Sequence, residues 1–209
     1  MTRDDGKSAD GTVFGDAASD MFDLIKRADA AADQRDKELL VRLRAGGPAA
    51  KGAPSPPDPT KPKTLRALDA PRAEMVWPAA GELVHRFGEA DRYGRPGQGL
   101  TLQATPGGAV VAPFDGRVDF VGYFRDYGLI LIMRHAGGYH SLLAGLGRAD
   151  VTVGQWLLAG EPVGSLPAAD DGTAGVSLYC ELRREGRPVD PQSRLGSRDE
   201  KTEDTRVRE

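Results

Sequence analysis

Few side chains in this 209-residue chain could do metal or nucleophilic chemistry: the histidines His85, His135 and His140, and the cysteine Cys180. A catalytic zinc needs about three protein ligands drawn from His, Cys or carboxylate, plus an open position for water. His135 and His140 flank Gly137-Gly138 in "HAGGYH", a turn signal that would bring their strands together. His85 sits on a separate β-run, and no third convergent ligand is evident beside the pair. Cys180 has no base among its neighbours to activate it, so a packed core thiol is the expectation. Glycine clusters such as "GYFRDYG" lack the order and the β-α setting of a phosphate loop.

More informative is "VSLYCELRREGRPVDP", from Val176 to Pro191. Strand alternation places Ser177, Tyr179, Glu181 and Arg183 on one face, with Cys180 on the other. Serine is a poor neutral ligand, and tyrosine would first have to lose its proton. The face offers hydrogen-bonding and anchoring groups instead, and Tyr and Arg are typical anchors of protein interfaces.

The elements that must position this strand fall into zones. Residues 1–15 are polar and glycine-rich, and disorder is expected there. Residues 16–45 carry Met21, Leu24, Ile25, Ala28, Ala31, Ala32, Leu39 and Leu43 at three-four spacing, which predicts an amphipathic, coiled-coil-like helix ended by Gly46-Gly47. Residues 46–70 hold "GGPAAKGAPSPPDPTKPK", a Pro/Gly-rich linker. From 71 to 196 the texture changes to short β-runs punctuated by glycine, and 197–209 is a charged tail expected to be disordered. Candidate strands are 83–87, 99–103, 109–112, 116–123, 129–135, 140–144, 162–165 and 177–183, and Asp115-Gly116 in "PFDGRV" reads as another hairpin turn. No helical period interrupts them, so the fold class is mainly β, an antiparallel sheet domain preceded by one helix and a linker.

Charge is close to balanced, with 28 Lys and Arg against 31 Asp and Glu, and no basic block argues for nucleic acid. The first twenty residues show neither the apolar core nor the cleavage pattern of a signal peptide. No apolar run approaches the roughly 20 residues that cross a bilayer. A single cysteine excludes an internal disulfide and leaves the compartment open.

In chain order, "GELVHRFG", "GQGLTL", "GGAVVAPFDGRVDFVGYFRDYGLILIMRHAGGYHSLLAGL", "VTVGQWLLAGEPVG" and "SLYCELRREGRPVDP" resemble the LytM-type (lysostaphin-like) zinc peptidase domain, a duplicated-hybrid-motif-like β fold. The match runs from about Pro78 to Leu195. Carried over position by position, the family's His-x-x-x-Asp zinc pair falls on Gly97 and Thr101, and its "YAH" histidine on Gly145. The two histidines of its His-x-His fall on Ser177 and Tyr179. The resemblance therefore implies a degenerate domain with no metal, no cofactor and no catalytic residue.

Such a stripped groove resembles the EnvC-like murein hydrolase activators, whose groove receives the inhibitory helix of a peptidoglycan amidase. The resemblance implies a pseudoenzyme that binds this helix through Gln98, Thr101, Leu143, Ser177, Tyr179, Glu181 and Arg183. Gly97, Gly99 and Gly145 would widen the floor of that groove. It further implies a periplasmic location and a role in cell division. Additional partners would be a membrane division complex, engaged by the N-terminal helix, and peptidoglycan itself. Two alternatives stay open: a zinc-dependent peptidoglycan endopeptidase, and a non-enzymatic module that binds wall peptide or glycan.

Overall fold

The computed structural model describes residues 65–70, 73–90, 94–124, 127–169 and 175–197, together with Gln34. Apart from Gln34, the helix expected over 16–45 lies outside the described residues, as do most of the linker and nearly all of the tail. What is described is mainly antiparallel β-sheet, the expected fold class.

Strands run in the order β1 (Gly81–His85), β2 (Leu100–Ala104), β3 (Ala109–Val111), β4 (Gly116–Tyr123), β5 (Leu129–His135) and β6 (Tyr139–Leu146). They continue with β7 (Arg148–Ala149), β8 (Trp156–Leu157), β9 (Pro162–Ser165), β10 (Val176–Arg184) and β11 (Arg187–Val189). The main sheet has the order β1-β2-β10-β6-β5-β4-β8, with β11 paired to β10, and a smaller sheet has the order β3-β9-β7. The short β7, β8 and β11 escape the sequence reading because two or three residues leave no alternation to detect.

The principal core lies between the two sheets. Leu102, Val118, Leu131, Met133, Leu143, Leu178 and Cys180 from the main sheet meet Val110 and Val163 from the small one. The "LILIM" run of β5 has no alternation because its residues are buried on both faces of the sheet. In the β5–β6 hairpin both Gly137 and Gly138 take left-handed φ values, near 80° and 73°, which explains the glycine pair. The other expected hairpin does not form. Asp115-Gly116 joins β3 to β4, and those strands belong to different sheets.

Asp115 is instead the knot that ties the incoming chain to the domain. Its carboxylate accepts from Arg66 Nη2 at 2.7 Å, Arg66 Nε at 3.0 Å, the Arg66 amide at 3.1 Å and the Ala159 amide at 2.9 Å. These donors outweigh the cost of burial and hold the Asp115 carboxyl down at about 2. Leu68 is fully buried beside Met75, Phe114, Tyr139 and Leu182. The Asp115 carbonyl accepts from His135 Nδ1 at 2.9 Å, which fixes the tautomer, so His135 Nε2 must accept from Ser141 Oγ at 2.8 Å. Burial pushes the His135 imidazole down to about 4.

Both depressed groups make the fold acid-sensitive, in separate windows. His135 favours the folded state fully above its ordinary value of 6.5, and that contribution disappears as pH falls from there through about 4. Asp115 contributes fully above 3.8 and loses its contribution towards about 2. Urea unfolding at a series of pH values should show stability falling between pH 6.5 and 4 by on the order of 3 kcal/mol. His135→Gln should flatten that limb while the limb below pH 4 persists.

Candidate functional site

β10 lies between β2 and β6, and its register builds the site. Tyr179 stands opposite Thr101 on one side and Ala144 on the other, Glu181 stands opposite Leu142, and Arg183 opposite His140. Directly opposed residues share a face. The next pairings add Ile130 beside Ala144, Ile132 beside Leu142, and Arg134 beside His140. One face of the sheet thus carries Thr101, Tyr179, Glu181 and Arg183 next to a floor of Ala144, Leu142, Ile130 and Ile132.

The polar residues of this face form one chain of hydrogen bonds. Tyr179 Oη donates to Glu181 Oε2 at 3.0 Å, and Arg183 Nε donates to Glu181 Oε1. Arg183 continues to Gln98 Oε1 and to the Gly186 carbonyl, each at 3.2 Å. Ser177 is exposed at the edge, where its Oγ donates to Gln103 Oε1 at 3.3 Å. Tyr179 is only 8% exposed, and Glu181 and Arg183 only 3%. Burial, then the Glu181 carboxylate, push the Tyr179 phenol far up, so it stays protonated. Burial also raises Glu181, against the pull of Arg183 and Tyr179.

The floor is an apolar cluster of Tyr127, Ile130, Ile132, Leu142, Ala144 and Tyr179, flanked by Phe120 and Phe124. Beyond it, Asp119 pairs with Arg134 at 3.2 Å and lies 3.9 Å from His140 Nε2. Sequence reasoning missed these residues. Their signal was the unbroken apolar run of β5, which is what a strand covered on both faces looks like.

Most expected groove residues converge, and one does not. Gln98, Thr101, Ser177, Tyr179, Glu181 and Arg183 meet on the β10 face. Leu143 does not, because it pairs with Cys180 and Leu131 and lies in the principal core. The pleat gives the groove its neighbours Leu142 and Ala144 instead. Tyr179 and Arg183, expected as anchors, are both buried. His135 and His140 do not share a face of the sheet. His135 pairs with Tyr139 and His140 with Arg134, so the two imidazoles occupy opposite faces. Cys180 is a core thiol, pushed up to about 12 by burial.

Residues 95–191 match the model of Peptidase family M23. The β domain belongs to that family. The chain is 35% identical to the Murein hydrolase activator EnvC of Escherichia coli over 181 residues, covering 82% of this chain and 43% of that protein. It is 33% identical to the Lipoprotein NlpD/LppB homolog of Pseudomonas aeruginosa over 124 residues, 59% of this chain and 40% of that protein. The chain therefore spans less than half the length of these curated relatives. The Helicobacter pylori Csd3 structure superposes with a TM-score of 0.52 over 63% of this chain and 37% of that one; at 19% identity this shows the fold alone.

In this M23 domain, the positions that the resemblance assigns to ligands and catalytic histidines have local structure of their own. Gly145 has φ +90°, and a Cβ there would lie 2.6 Å from the Ser177 carbonyl oxygen, so this backbone has no room for a histidine. Gly97 exchanges backbone bonds with Gly88 and Glu89, both at 2.8 Å. Among the described residues, no three of His, Cys, Asp and Glu lie together as a metal would require.

Gly99 explains how Tyr179 lies. A Cβ at Gly99 would sit 2.5 Å from the Cys180 carbonyl oxygen and 2.8 Å from both Cζ and Oη of Tyr179. The phenol therefore rests against bare backbone at the start of β2. Gly99→Ala should displace the ring and cost about 1–3 kcal/mol by overpacking. Thermal unfolding would register the loss, and near-UV circular dichroism would register the moved tyrosine.

Proposed function

We propose that this M23 domain is a non-catalytic activator of a peptidoglycan (N-acetylmuramoyl-L-alanine) amidase, acting in the periplasm during septal wall splitting and cell separation. The observation that carries the reading is the β10 face. At the positions assigned to metal ligands and catalytic histidines the domain has a protonated tyrosine, a serine, a threonine and two glycines, continued by a neutralised Glu–Arg pair and an apolar floor. That combination suits the apolar side of a helix laid in a groove, not a hydrated metal. Relatives named as murein hydrolase activators, at 35% identity for EnvC and 29% for NlpD of Escherichia coli, support the same role.

The helix captured would be the one that inhibits the amidase, so that its removal opens the amidase's own active site. A second element of the proposal is self-occlusion by the N-terminal segment. Residues 16–45, tethered by a linker that as a coil of about 25 residues reaches roughly 25–30 Å, cover the same face at rest. The helix could also dock on a membrane division complex once displaced.

Dye release from labelled sacculi by an amidase, with and without the chain, tests the central claim. Stimulation is expected, and Thr101→Trp, which fills the space beside Tyr179 without touching the ion pair, should reduce it by about tenfold. Stimulation unchanged by Thr101→Trp would move the site elsewhere. Deletion of residues 1–60 should raise potency if the helix covers the groove. Stoichiometric zinc in the purified protein, with cleavage of cross-links in the absence of any amidase, would establish the endopeptidase instead.

A further inference from the structure

Glu181, assigned to partner binding together with Tyr179 and Arg183, stands between those two, and its carboxylate is bonded to both. On β10 the side chains at i, i+2 and i+4 share one face, so Tyr179, Glu181 and Arg183 are neighbours by construction. Glu181 Oε2 accepts from the Tyr179 hydroxyl and Oε1 from Arg183 Nε, with almost no exposure of the carboxylate to solvent. Both of its oxygens are therefore turned inward, and neither is placed to reach an arriving helix.

We infer that Glu181 is a positioning residue and not a contact: it sets the Tyr179 ring against Gly99 and turns the Arg183 guanidinium towards Gln98 and Gly186. This rests on the activator reading and deepens it. Without the carboxylate, the tyrosine hydroxyl loses its bond to Glu181, and a buried guanidinium keeps the two neutral oxygens at 3.2 Å. A buried cation left beside His140 without its carboxylate turns outward to water. The groove then presents a charge where its occupant brings apolar side chains. The pair also explains why the groove can be lined with an arginine and still suit an apolar helix: the charge is already neutralised inside the strand.

The geometry makes the effect of Glu181 pass through Arg183, and this separates positioning from general structural support. In the wild-type chain the Arg183 Nε–H should exchange slowly with solvent by NMR, and in Glu181→Gln it should exchange fast. With an amidase that the wild-type chain activates, Glu181→Gln should raise the concentration for half-maximal stimulation about tenfold. Arg183→Gln should raise it as much, and the double variant Glu181→Gln/Arg183→Gln no further than Arg183→Gln alone. Losses that multiply in the double variant, or an unchanged half-maximal concentration in Glu181→Gln, would overturn the inference. So would fast exchange of Nε–H in the wild-type chain. Should Glu181→Gln fail to fold, the double variant, from which both charges are gone, decides by the same comparison with Arg183→Gln. A wild-type chain that activates no amidase removes the activator reading, and the exchange measurement then still decides the position of Arg183.

Discussion

A strand buried on both faces cannot carry a free charge, and most of the site follows from this one constraint on β10. One face of the strand packs Leu178 and Cys180 into the core between the sheets. The other carries a glutamate and an arginine that are almost wholly removed from water. Breaking such a pair by removing one partner typically costs about 3–5 kcal/mol, so each member holds the other in place. The tyrosine two residues earlier completes the set by donating to the same carboxylate. Position on the strand, protonation of the phenol and direction of the guanidinium are thus a single arrangement.

The same economy governs the opposite side of the domain. Asp115 spends its carboxylate on Arg66 and Ala159 and its carbonyl on His135, so one residue fastens the incoming chain, the β8–β9 turn and the β5–β6 hairpin. Gly116, next to it, is needed because a Cβ would lie 2.6 Å from both the Arg134 carbonyl oxygen and His135 Nδ1. What looks like a turn dipeptide in the sequence is a packing requirement. Asp-Gly has two physical uses, and only the fold distinguishes a hairpin turn from a crossing between sheets.

Strands were legible wherever alternation or a β-branched run extended over four residues or more. β4, β5 and β9 lie where the sequence places them, and β2 and β10 lie within a residue or two. The polar face of β10 was legible because its side chains alternate. Burial was not, because Tyr, Glu and Arg are residue types usually found at surfaces, and nothing local reports that they satisfy one another. Leu143 was misplaced for a related reason: in "LLAGL" every residue is apolar, so the pattern cannot say which leucine faces which way. Only the pairing of Cys180 with Leu143 resolves it. The apolar floor failed to register because a run without alternation fits a core strand equally well.

The residues at the positions that the resemblance assigns to zinc ligands are coupled by geometry. Tyr179 can lie flat only because residue 99 lacks a side chain, and the close approach of β6 to the Ser177 carbonyl needs a glycine at 145. A histidine at 145 would have to push β6 away from β10, which would separate Ala144 from Tyr179 and open the floor. A histidine at 179 would leave Glu181 without its phenol donor and leave empty the space beside Gly99. Gly145 and Tyr179 are therefore compatible with each other, and Gly145 leaves no room for a histidine. Loss of ligands one at a time would leave cavities and unsatisfied polar atoms. Here the tyrosine ring fills the space over Gly99, and its hydroxyl and the guanidinium are bonded to one carboxylate. The β10 face is a packed surface whose polar groups are bonded to one another.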